Sequence, residues 1–133
     1  MTFANPLPVR FSNVIDGGKR VLMLTKVFEN ATVEESRTVG FNGNCTAKWQ
    51  GFKEVDIATS EPVFEWSAHG HIDLKESTKK GNMRKMCNGN LGHGGWDILH
   101  LNAIDKFPDG DYLISSRHVR WSQMMMTCLL TWK

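Results

Sequence analysis

The stretch WDILHLNAIDKFPDGDYLISSRH, residues 96–118, constrains the chain more than any other part of it. Period-two segments flank Pro108-Asp109-Gly110, and Pro, Asp and Gly are turn formers, so the stretch reads as two antiparallel strands around a tight turn. The hairpin also places His100, Asn102, Arg117 and His118 where a plain one would carry apolar or neutral residues.

Strand period two puts Ile98, His100, Asn102 and Ile104 on one face, and Leu99, Leu101 and Ala103 on the other. The loop length sets the rest. A three-residue loop, Pro108–Gly110, pairs Phe107 with Asp111, sets His100 opposite His118 and turns Arg117 away. A four-residue loop starting at Phe107 pairs Lys106 with Asp111 and sets His100 opposite Arg117. If these residues form one site, His100 and Arg117 are expected on one face.

Other segments supply the remaining strands. Val9 to Ile15 precedes the turn Asp16-Gly17-Gly18-Lys19. Arg20 to Phe28 (RVLMLTKVF) reads as a strand buried on both faces. Glu29 to Thr46 reads as a long loop. Trp49 to Ile57 and Val63 to Ser67 flank the turn Ala58 to Pro62. Gly70 to Gly95, with Asn88-Gly89-Asn90, reads as another loop. Val119 to Lys133 has no clean period and fits a strand or a helix. With no convincing amphipathic helix, the fold class is all-β, built of antiparallel four-stranded sheets.

The 133 residues set one domain as the expectation, and a formal net charge of +2 with no basic run excludes an electrostatic case for nucleic acid. No apolar run approaches the ~20 residues of a membrane span. The start, MTFANPLPVRF, lacks the pattern of a signal peptide. The three cysteines, Cys45, Cys87 and Cys128, leave at least one unpaired within the chain. Free thiols and a Cys45–Cys87 disulfide are both open. The glycosylation sequons at Asn30 and Asn44 favour the disulfide, because both features belong to an oxidising compartment. His69-Gly-His71 with His93 has loose spacing and no completing ligand set, so it reads as loop, and no metal is expected. Trp49, Trp66 and Trp96 read as core, and Met124-Met125-Met126 as packing.

At DIATSEPVFEW and WDILHLNAIDKFPDGDYLISSRH the chain resembles the eukaryotic, largely fungal branch of the arylsulfotransferase family, over residues 9–118. That family carries a D-I-x-T-G-x-x-x-F-E-W hairpin, an H-x-N motif and a D-G-x-Y-L-I-S-x-R-H strand within a β-propeller. The resemblance implies sulfuryl transfer from a phenolic sulfate ester to a phenol, without a nucleotide sulfate donor or other cofactor, through a transient histidine adduct. It implies catalytic roles for His100 and Arg117 and substrate binding by Asn102 and His118. Arg and Asn donors would hold the sulfuryl oxygens, and a histidine would protonate the leaving phenolate. Read alone, His100-x-Asn102 is a hydrogen-bonded strand pair, Arg117 a partner for Asp105 or Asp97, and His118 structural.

Where many members read H-E-F, this chain has Val9-Arg10-Phe11, and the family's nucleophilic histidine is expected in a later blade. About two propeller blades are therefore expected, the second incomplete: 9–67 a first blade, 68–95 a long loop, 96–118 the inner hairpin of a second, 119–133 a divergent tail. Such a partial chain would lack the nucleophilic histidine and self-associate through exposed strand edges. The alternatives are a non-catalytic propeller-derived binding module and an inactive fragment. The localisation expected is extracellular or secretory, if the full-length product has a signal peptide.

Overall fold

The computed structural model describes residues 12–88, 94–119 and 128–130. The Val9–Phe11 segment, the end of the Asn88–Asn90 turn, His93, Met124–Met126 and most of the Val119–Lys133 tail lie outside the described residues.

The described chain is all-β with two short helices. Strands β1 (Ser12–Ile15), β2 (Arg20–Asn30), β3 (Thr46–Asp56) and β4 (Pro62–Ser67) form an antiparallel meander in sequence order. A fifth strand, β5 (Trp96–Asp97), joins it in parallel along the start of β3, pairing Ala47 with Trp96 and Lys48 with Asp97. The second sheet orders β6 (Leu101–Lys106), β7 (Tyr112–Ser116) and β8 (Cys128–Leu130), all antiparallel.

Arg20–Phe28 is a strand, but it is not buried on both faces. Only Leu22 is fully buried, and Val27 and Phe28 are 42% and 44% exposed. The apolar run outlasts its cover, because β6 crosses only part of β2. The two expected loops also contain helices: α1 (Val33–Arg37) and α2 (Met83–Cys87). Thr32 caps α1 through a reciprocal box with Glu35. In the turn after β3, Ser60 adopts φ 60°, a conformation favoured by glycine, at the position where the family's hairpin pattern has Gly.

The even-numbered face of β3 meets the second sheet. Phe52 and Phe64 pack on Tyr112, with ring centroids 4.8 and 4.9 Å away, and Leu22, Trp66, Ile104 and Ile114 complete the layer. Within it lies a fully buried carboxylate, Glu54. Arg20 Nη1 donates to it at 2.9 Å, Lys106 Nζ at 3.0 Å, and the Tyr112 hydroxyl donates as well. Burial alone would raise the Glu54 carboxyl, but these donors outweigh it and hold it below its ordinary value. On the other side of β3, Trp49 is buried under a stacked His69, with centroids 4.3 Å apart. Trp96 is buried where β5 meets β3, its indole N–H donating to the Lys79 carbonyl at 2.8 Å.

Candidate functional site

The β6–β7 turn is the three-residue one: the Phe107 N–H donates to the Asp111 carbonyl at 2.7 Å, and Lys106 pairs with Tyr112. Continued without interruption, that register would place His100 opposite His118. It is interrupted. Ala103 pairs with Ser115 but Leu101 pairs with Ser116, so Asn102 is an extra residue in a β-bulge. Beyond the bulge the ladder is shifted by one. The Arg117 N–H donates to the His100 carbonyl and the His118 N–H to the Leu99 carbonyl, both at 3.0 Å. His100 itself leaves the strand conformation, with φ 50°. The simple alternation through Ile98, His100, Asn102 and Ile104 therefore stops at the bulge, and Ile98, Leu99, Leu101 and Ile104 are all buried.

The resulting side-chain cluster differs from the expected His100–Arg117 pair. The His100 ring meets His118 edge to face, with centroids 5.2 Å apart. Arg117 opposes His100 through the backbone, and its side chain is exposed. Its charge still acts on His118. Asp97 and Asp105, considered as partners for Arg117, are engaged elsewhere: Asp97 with His100 and Lys48, Asp105 with Asn13. Asn102 is half-buried at the bulge.

Asp97 is the residue that the sequence did not single out for this site. Its Oδ2 lies 2.7 Å from His100 Nδ1, and Lys48 Nζ lies 3.0 Å from its Oδ1, an ion pair rather than a directed hydrogen bond. Burial pushes the Asp97 carboxyl up, but the His100 bond and the Lys48 charge hold it below its ordinary value. An ionised carboxylate only accepts hydrogen bonds, so Nδ1 of His100 carries the proton. His118 is pushed the other way. Burial lowers its imidazole, Asp97 works against that, and Lys79, His100 and Arg117 add to the lowering.

The scaffold explains the precision. The Leu101 N–H donates to Gln50 Oε1 at 2.8 Å, fixing the start of β6 on β3. The Ser77 hydroxyl donates to the Ile98 carbonyl at 2.7 Å, and the Thr78 hydroxyl to the His118 carbonyl at 3.0 Å. The segment 77–79 thus ties the two histidine-bearing stretches together. A D-x-x-H spacing, Asp97 to His100, was the available signal. It is short and common in sequence, so it gave no warning.

Asp97, His100 and His118 are the described residues that could hold a divalent metal, with ligand atoms within 4.8 Å of one another. Their surroundings suit an anion better. Asp97 is already shared by His100 and Lys48, and Lys79 and Arg117 add positive charge.

The remaining expected residues lie elsewhere. Cys45 and Cys87 are joined by a disulfide between the loop before β3 and the end of α2, with Cα atoms 4.4 Å apart. Both sequon asparagines are exposed, in and beside the connection that leads from β2 to β3. Asn30 Oδ1 accepts from the Thr46 hydroxyl at 2.9 Å, and Asn44 Nδ2 donates to the Ala31 carbonyl at 3.0 Å. His69 and His71 stack on Trp49 and Trp66.

The family model described as Arylsulfotransferase (ASST) matches residues 12–129. No curated protein and no solved structure gives a match.

Proposed function

The chain belongs to the arylsulfotransferase family, and from that premise we propose that it acts on phenolic sulfate esters at the Asp97–His100–His118 cluster. The observation that carries this is the cluster itself. Two imidazoles and one ionised carboxylate are brought together by a bulge, beside Arg117 and Lys79.

In the reaction, the S–O bond to the donor phenol breaks and an S–O bond to the acceptor phenol forms. The proton released by the acceptor ends on the donor oxygen. His100 handles that proton through Nε2, the nitrogen that Asp97 leaves free. Arg117 and Asn102 serve as donors to the sulfuryl oxygens, whose charge grows as the group moves. His118, shifted towards its neutral form by burial, donates a further hydrogen bond. In this assignment the group passes from donor oxygen to acceptor oxygen without a covalent histidine adduct, because His100 is committed to the proton.

An assay with phenyl sulfate as donor and a second phenol as acceptor tests the proposal. Transfer is expected, and His100→Ala is expected to lower it by roughly 10²-fold or more. Absence of transfer together with His100 and His118 resonances that do not move on adding phenyl sulfate would sink it. Retained binding without turnover would instead support the non-catalytic binding module.

We also place the protein in an oxidising, secretory setting, supported by the Cys45–Cys87 disulfide and the exposed sequon asparagines Asn30 and Asn44. Fully reduced, glycan-free protein recovered from its native source would overturn this.

A further inference from the structure

We infer that Asp97 is the positioning residue of the site, and that Lys48 occupies one of its oxygens so that the other is left to hold His100. The assignment rests on the sulfuryl-transfer function proposed above only for its kinetic arm.

The geometry is a short chain, an ion pair from Lys48 to Asp97 and a hydrogen bond from His100 to Asp97, running from the first sheet into the approach to the second. Lys48 and Asp97 are held side by side by the parallel pairing of β3 and β5. The Lys48 ammonium takes one oxygen of Asp97 at 3.0 Å, and His100 Nδ1 takes the other at 2.7 Å. An ammonium offers donors only, so it always selects an acceptor atom. Asp97 has two equivalent acceptors and satisfies both neighbours. His100 is thereby fixed as the Nδ1–H tautomer, with the lone pair on Nε2. Its ring is also fixed in space, because its backbone sits at φ 50° and its carbonyl is held by the Arg117 N–H. Asp97 itself reaches no substrate in this arrangement. It acts through His100.

Asparagine at position 97 keeps the shape and breaks this logic. Its carbonyl oxygen turns to Lys48, the donor-only neighbour, which leaves the amide NH₂ facing His100. Nδ1 must then accept, and the proton moves to Nε2. A single substitution thus inverts the tautomer without removing a hydrogen bond. Removing Lys48 as well frees the amide to turn round.

Long-range proton–nitrogen NMR of the histidine rings, at a pH where His100 is neutral, reads the tautomer directly. The protein as it stands is expected to show His100 protonated at Nδ1. Asp97→Asn is expected to show it protonated at Nε2. Adding Lys48→Met to Asp97→Asn is expected to restore Nδ1–H. In the phenyl sulfate assay Asp97→Asn is expected to lower kcat by roughly 10²- to 10⁴-fold, as for a wrongly held catalytic imidazole. KM is expected to change by no more than about twofold, since Asp97 makes no substrate contact.

The unsubstituted protein showing Nε2–H at His100 would overturn the inference with no variant needed. So would an unchanged tautomer in folded Asp97→Asn, or a rise in KM with kcat intact. If no turnover occurs at all but the tautomer inverts and is restored as stated, positioning by Asp97 stands and the sulfuryl-transfer function fails.

Discussion

His118 has a side chain that the fold shifts towards its neutral form. Burial lowers its imidazole, and Lys79, His100 and Arg117 face it with positive charge, while Asp97 alone favours protonation. In the unfolded chain it titrates near 6.5. Below that pH the unfolded state takes up a proton that the folded state resists, so its contribution to stability is complete above about 6.5 and declines as the pH falls. Asp97 and Glu54 have the same sign, but their windows open lower, below their ordinary values of 3.8 and 4.5. Urea unfolding between about pH 7 and 5 therefore reads the His118 contribution, and His118→Gln is expected to flatten the decline. Parallel curves for the two proteins would exclude His118 as its source. Sequence showed the chemistry at this scale because histidines and arginine are conspicuous in a strand. It did not show Asp97, which looked like one surface acid among several. Nor did it show the bulge, since Asn102 differs from any other strand residue only once its ladder is drawn.

At the scale of elements, β2, β3, β4, β6 and β7 were legible because alternation and turn residues bound them. The helices were not, although Thr32-x-x-Glu35 carries the capping-box spacing. At 5 residues each, α1 and α2 are too short for a periodic apolar face to announce them. What holds α2 is covalent. The Cys45–Cys87 bridge ties its last residue to the loop that enters β3, the strand carrying Lys48 and Gln50. With the cysteines 42 positions apart, loop closure in the unfolded chain corresponds to about 4 kcal/mol of stabilisation in the chain-entropy model. Replacing both cysteines by alanine is expected to lower the unfolding free energy by about that amount. It should also loosen the amides of 77–88 before those of β2 and β3 in hydrogen exchange. Uniform loosening across both sheets would show that the bridge holds the whole chain rather than α2.

At the scale of the molecule, the two sheets could have been joined by apolar packing alone. They are joined instead around one buried carboxylate. Glu54 comes from β3, Arg20 from β2, Lys106 from β6 and Tyr112 from β7, so one side chain connects four strands. No sequence pattern reveals this, because the partners are 34 to 58 positions away and each looks like an ordinary surface residue. Tyr112 gains as well: burial first and then Glu54 raise its hydroxyl well above the ordinary 10.0, so it stays a donor wherever the fold survives. Removing the carboxylate leaves Arg20 and Lys106 facing each other beside an apolar layer. The loss for breaking a buried pair is about 3 to 5 kcal/mol, and since Arg20 and Lys106 are 35% and 20% exposed, the lower end applies. Glu54→Gln is therefore expected to cost about 3 kcal/mol, roughly 10 °C in Tm. Pairing Glu54→Met with Lys106→Leu leaves only Arg20, which can turn to Asp16 and water, and should recover much of that loss. Recovery would locate the cost in the stranded charges. If the double variant is no better than Glu54→Gln, the network is required for the geometry of the interface, and the amides of β6 and β7 should then exchange faster than those of β2 and β3.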